Sequence, residues 1–246
     1  MMKTTFVCKN GMIGLFLIGL LFFSSCINNK ENDFSVETDV IAIKKTIDGE
    51  VKYATAFYAY GSEGIGSASV TLPGGDTLHL KSASGGYTFM REPEETDYTT
   101  TLPAQGNYLF KVTSKKGEEL TSTDQQGFAN IGFVVPDTIQ YDANKTYLYL
   151  KWTQVSGADN YVVNLHELDG DVVFGGYVME GNVTKYYVST LYNTGKWYKT
   201  PAQGETYRLT IQASKNDAGA TSENSPYNIQ EISISEFPIT WEPGSN

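Results

Sequence analysis

Leu148-Tyr149-Leu150-Lys151-Trp152-Thr153-Gln154-Val155-Ser156-Gly157-Ala158-Asp159-Asn160-Tyr161-Val162-Val163 is the stretch that decides the fold class of this chain. Leu148, Leu150 and Trp152 share one parity, and Tyr147, Tyr149 and Lys151 share the other. That alternation is a strand with one apolar face. The Ser-Gly-Ala-Asp-Asn run is turn chemistry, and Tyr161 with Val163 then resumes the period of two. The reading predicts paired strands with Trp152 and Tyr161 turned inward.

Downstream the same grammar continues. Asn164–Leu168 and Val172–Phe174 flank Asp169-Gly170-Asp171, which reads as a hairpin turn. Pro201-Ala202-Gln203-Gly204-Glu205-Thr206-Tyr207 leads into Leu209, Ile211 and Ala213 at period two. Ser222–Pro226 reads as a turn and Ile229–Ile234 as the last strand, with Pro238 marking an edge or a break there. The combination resembles the fibronectin type III family. In that family a strand ending in Trp precedes a Gly-Ala turn and a Tyr-x-Val strand, and a later Tyr forms a tyrosine corner. The resemblance implies a β-sandwich over 137–243, with Trp152, Tyr161 and Tyr207 as structural residues. The stretch from Asp169 to Lys199 is longer and more aromatic than the family's usual pattern.

Upstream, no window carries a sustained 3.6-residue apolar period. Short alternating runs such as Val40–Ile47, Val51–Tyr60 and Asn107–Ser114 are separated by Gly, Pro, Asn and Asp. Ser69–Leu72 and Thr77–Lys81 form an expected hairpin around Pro73-Gly74-Gly75-Asp76. Tyr87–Met90, Tyr98–Leu102 and Ala129–Val135 are further expected strands. Pro103-Ala104-Gln105-Gly106-Asn107-Tyr108 repeats the later Pro-Ala-Gln-Gly run, and each Tyr opens a strand ending in Ser-Lys. Two related sandwiches in tandem are therefore expected, the first Ig-like over 36–136 with Tyr108 inward. The fold class is all-β.

The N-terminus has its own reading. Lys3 and Lys9 precede an uncharged apolar run from Gly11 to Phe23, the length of a signal-peptide core and too short for a span. Phe23-Ser24-Ser25-Cys26 resembles the lipobox of bacterial lipoproteins. The resemblance implies a leader over 1–25, a lipidated Cys26, and a polar tether over 26–35. Lys30-Glu31 with Asp33 resembles the export signal of surface lipoproteins in gut-type Gram-negative bacteria. The implied location is the outer membrane, exposed at the cell surface, with the membrane as partner through the lipid.

Charge and chemistry narrow the function. Of 18 basic and 28 acidic residues, Lys3 and Lys9 fall in the leader, leaving 16 against 28, a net of −12. That excludes nucleic acid as a natural partner. Cys26 is the last Cys, so the remainder has no internal disulfide and relies on its hydrophobic cores. His79 and His166 both have outward strand parity, with no HExxH zinc motif, no phosphate loop and no expected cofactor or metal. The acidic residues between Glu92 and Asp97 read as a solvated loop, and Asp169-Gly170-Asp171 lacks calcium-loop spacing. Tyr192, Trp197 and Tyr198 are the candidate ligand-binding residues, a platform for sugar rings or a protein partner. The competing reading folds Trp197 under its loop as a core cap. The expected function is a non-catalytic binding or adhesion module for polysaccharide or an envelope protein. A structural spacer, or a glycoside hydrolase or peptidase, is the alternative.

Overall fold

The computed structural model describes residues 34–83, 85–220 and 228–243. Cys26, the leader and the Ser222–Pro226 turn lie outside the described residues. Within them every regular element is a strand except one 3-10 turn at Glu95–Asp97, so the all-β class holds. Phe34–Asn246 forms one compact unit.

The first sandwich begins with a long hairpin, β1 (Val36–Ile47) and β2 (Glu50–Gly61). Asp48 and Gly49 turn it, at φ 54° and 81°, the twist that matches right-handed strands. β3 (Ile65–Thr71) and β4 (Thr77–His79) make the expected hairpin, Ser69 opposite His79 and Thr71 opposite Thr77. β5 (Lys81–Ser82) and β6 (Thr88–Arg91) extend the sheet of β1 and β2. β7 (Gly106–Ser114) and β8 (Glu119–Gln126) complete the facing sheet, in the order β4-β3-β7-β8. Val40, Phe57, Ile65, Val70, Tyr108 and Phe110 fill the space between.

Three segments differ from expectation. β8 reads Glu-Leu-Thr-Ser-Thr-Asp-Gln-Gln, with almost no apolar alternation, because it is an edge strand paired only with β7. Ala129–Val135, expected as a strand, joins no ladder. Side chains take its backbone groups instead: Glu231 Oε2 accepts from Asn130 N at 2.6 Å, and Ser233 Oγ donates to Gly132 O at 2.8 Å. Tyr98–Leu102 supplies only an isolated bridge from Thr99 to Tyr53.

The second sandwich sets β9 (Pro136–Tyr141), β10 (Leu148–Trp152) and β14 (Lys185–Val188) against a larger sheet. That sheet contains β11 (Asn160–His166), β12 (Val172–Gly176), β16 (Thr206–Asn216) and β17 (Ile229–Thr240). The short β13 (Met179–Glu180) and β15 (Gly195–Trp197) border it. Three strands over four in this connection order is a fibronectin type III-like sandwich. Trp152 and Tyr161 meet edge to face at 5.4 Å in its core, beside Phe174, Leu209 and Trp241.

The two cores are separate, but the sheet beneath them is continuous. β17 pairs in parallel with β1, Ala42 opposite Glu231 through Lys45 opposite Ile234. The resulting ten-stranded sheet runs from β15 to β5. β1 leaves after Ile234, so Pro238 pairs only with β16, opposite Arg208. The missing N–H therefore lies on an edge, as its sequence position implied.

Candidate binding face

The outer face of the three-stranded sheet carries a cluster of tyrosines. Leu148, Leu150 and Trp152 point into the core, which leaves Tyr149 outward on β10. On β14 Tyr186 and Val188 are buried, which leaves Tyr187 outward, and the register sets Tyr187 directly opposite Tyr149. Tyr147 precedes β10 and is placed by an acidic turn. Asp142 Oδ1 accepts from the backbone N of Thr146 at 2.5 Å and of Tyr147 at 2.9 Å, and Asp142 Oδ2 from Asn144 N at 3.1 Å. Tyr192 completes the group from the loop after β14.

The rings touch in sequence. Tyr149 and Tyr187 lie 5.3 Å apart, Tyr147 and Tyr187 5.1 Å apart at 86°, and Tyr147 and Tyr192 6.2 Å apart. Tyr147, Tyr187, Tyr192 and Thr194 line a shallow depression of about 350 Å³. Partial desolvation, with Asp142 and the neighbouring phenols, holds Tyr147 above the ordinary phenol range. Tyr147 is therefore a neutral hydroxyl at physiological pH, able to donate and accept beside an apolar ring face.

No protein-family model matches the chain, and no curated protein matches it. Similar solved structures include a two-domain fibronectin type III segment of chicken tenascin, 12% identical over 80% of this chain and 97% of that one, TM-score 0.29. Another is the BSP domain of a biofilm associated protein, 14% identical over 87% of this chain and 30% of that one, TM-score 0.25. A third is a tetra-tandem repeat from the extending region of a large adhesion protein, 12% identical over 84% and 49%, TM-score 0.23.

The three candidate residues of the sequence reading are separated by the fold. Tyr192 is 56% exposed on the tyrosine face. Tyr198 is 57% exposed, with Lys196 Nζ 4.8 Å above its ring. It follows Trp197, which pairs opposite the buried Phe174, so Tyr198 faces out from the larger sheet on the far side of the sandwich. Trp197 itself is half-buried, 4.7 Å from Phe174 and 5.5 Å from Trp241. Its indole N–H donates to Ser189 O at 3.0 Å. Ser189 Oγ in turn donates to Thr146 O and accepts from Leu191 N, both at 3.0 Å. Trp197 thus caps the core and pins the loop that presents Tyr192. Tyr187 was not singled out by sequence. The sequence reading placed no strand over 185–188, and the neighbours of Tyr187 depend on the register of β14 with β10.

The structural residues occupy tied positions. Tyr108 hydroxyl donates to Ala104 O at 2.7 Å, and Tyr207 hydroxyl accepts from Ala202 N at 2.8 Å. Tyr161 hydroxyl accepts from Val155 N at 2.7 Å. His79 is exposed. His166 places Nδ1 3.3 Å from Gly170 O and Nε2 3.4 Å from Thr210 Oγ1. A carbonyl stands where a triad needs a carboxylate. The Asp169-Gly170-Asp171 turn closes the β11–β12 hairpin, and Lys199 Nζ bonds Glu167 at 2.5 Å and Asp171 at 2.8 Å.

Proposed function

We propose that this chain is a non-catalytic binding or adhesion module of a bacterial envelope, anchored through a lipid on Cys26 and displayed at the outer surface. The observation that supports it is the contiguous face of Tyr147, Tyr149, Tyr187 and Tyr192. Rings set at different angles around a depression fit a polysaccharide, stacking on sugar faces while phenol hydroxyls meet sugar hydroxyls. Tyrosines already in mutual contact lose little rotamer freedom when a ligand arrives.

A glycan array probed with the mature chain tests this, with Tyr187→Ala and Tyr192→Ala alongside. Binding of the wild type to a polysaccharide, weakened at least about tenfold in each variant, is expected. Retention of full binding by both variants overturns the site. No binding to any glycan, with capture of a purified envelope protein that Tyr187→Ala abolishes, would move the ligand class to protein. Palmitate labelling of wild type and Cys26→Ser tests the anchor, and protease shaving of whole cells tests surface display.

A spacer role is the second reading, favoured by one observation. The β1–β17 pairing makes the two sandwiches share a sheet, a stiff junction suited to holding a partner at a set distance.

A further inference from the structure

Three carboxylates from distant parts of the chain converge beside the place where β1 and β17 come together. Asp39 lies on β1, Asp124 on β8, and Asp217 just past β16. One oxygen from each lies within 4.8 Å of the others. Asp39 is only 1% exposed, and its Oδ1 is fully buried without a hydrogen-bond partner. Its Oδ2 accepts from Ile229 N at 3.2 Å, at the start of β17. Asp124 Oδ2 accepts from Val40 N at 2.7 Å, and its Oδ1 from Gln125 N at 2.8 Å. Backbone bonds therefore hold two of the three carboxylates in place.

What the group lacks is positive charge. Among the described residues no Lys, Arg or His pairs with any of the three. Lys215, the basic residue nearest Asp217 in sequence, is committed to Asp159 at 2.8 Å. A buried carboxylate oxygen with neither donor nor counter-charge is costly. We propose that Asp39, Asp124 and Asp217 bind a calcium ion, tying β1 and β8 of the first sandwich to the end of β16 in the second.

The chemistry selects the ion. All-carboxylate oxygen donors suit a hard divalent cation. Calcium sits about 2.3–2.6 Å from its oxygens, so ligands of one ion lie up to roughly 5 Å apart, which accommodates this spacing. Magnesium requires about 2.0–2.1 Å in a near-ideal octahedron, which three side chains held by separate strands and a turn are poorly disposed to make. In the absence of a cation, protons take its place. Burial pushes Asp39 up to about 8 against its Ile229 bond, with Asp124 and Asp217 adding repulsion. Burial and Asp124 push Asp217 up to about 6.

Titration calorimetry on the purified, EDTA-stripped full-length chain tests the proposal. One calcium per chain is expected, with Kd between about 10⁻⁵ and 10⁻³ M and a thermal midpoint that rises with CaCl2. Asp217→Asn, at the least buried of the three positions, should keep the far-UV spectrum and weaken binding at least about tenfold. Should that variant fail to fold, Asp171→Asn, in the separate carboxylate group of Glu167, Asp169 and Asp171, should leave the wild-type binding unchanged, and loss of binding in it overturns the assignment. Absence of heat and of any midpoint shift with Ca²⁺ up to about 10 mM, beyond the weakest extracellular sites, overturns the proposal. Binding of Mg²⁺ in preference to Ca²⁺ overturns the choice of ion. A midpoint raised by Asp39→Asn and insensitive to calcium would show a cluster that holds protons instead.

Discussion

Lys44 Nζ stands 3.4 Å from Glu231 Oε1 across the parallel β1–β17 seam, with side chains 4% and 0% exposed. Asn130 completes the contact: its Oδ1 accepts from Lys44 Nζ at 3.1 Å, and its N–H donates to Glu231 at 2.6 Å. Phe133 lies 5.3 Å beneath the ammonium. Burial pushes the Glu231 carboxyl up, and Lys44 holds it down. This ion pair, with the Gly127–Val135 crossing folded over it, joins one sandwich to the other.

Removing one partner strands a buried charge. Lys44→Met should cost about 3–5 kcal/mol, whereas Lys44→Met with Glu231→Leu should recover part of that loss, the remainder being the Asn130 N–H left without its acceptor. Chemical denaturation with a two-state fit measures both. A single variant that loses under about 1 kcal/mol would show that water reaches the seam.

Trp197 and Tyr192 should separate stability from binding. Trp197→Ala removes the cap between Phe174 and Trp241 and should cost about 3 kcal/mol. Tyr192→Ala, at an exposed position, should stay within about 0.5 kcal/mol of wild type. Thermal unfolding of the two side by side checks this. Equal midpoints would return Trp197 to the surface.

The two corner hydroxyls predict a matched pair of losses. Tyr108→Phe leaves Ala104 O without its donor, and Tyr207→Phe leaves Ala202 N–H without its acceptor. Each should cost about 1–2 kcal/mol, and the double variant their sum, because the two lie in different cores. Urea midpoints at constant m-value read the outcome.

His166 predicts a loss of stability in acid. Burial holds its imidazole below the usual range. The Gly170 carbonyl opposes that shift, Arg208 reinforces it, and Glu236 opposes it. The folded state thus favours the neutral ring, and the unfolded chain takes up the proton first. The stability contributed by this site is complete above about pH 6.5 and declines as pH falls through the lower folded value. Thermal midpoints of wild type and His166→Asn at pH 7 and pH 5 should converge on acidification. A folded-state NMR titration at or above the free-histidine value contradicts it.

The periodic pattern alone determined the inward direction of the strand aromatics. Trp152, Tyr161, Tyr108 and Tyr207 were legible because side-chain direction in a strand depends on position i against i+2, a local property. The turns at Asp169-Gly170-Asp171 and Pro73–Asp76 were legible for the same reason, since turn preference resides in the turn's own residues.

Only the tertiary structure decided which strands meet. In the first part of β17 Glu231, Ser233 and Ser235 are buried, while Ile232 and Ile234 are half-exposed, the reverse of what polarity implies. Hydropathy describes one residue, whereas the inward face of β17 was chosen by β1 and by the crossing over 127–135, both about a hundred or more positions away in sequence. The tyrosine face needed the register of β10 with β14, and the carboxylate group needed Asp39, Asp124 and Asp217 brought together from three strand ends. Strand pairing is a contact between segments that share no local signal, so no single window of the chain could contain it.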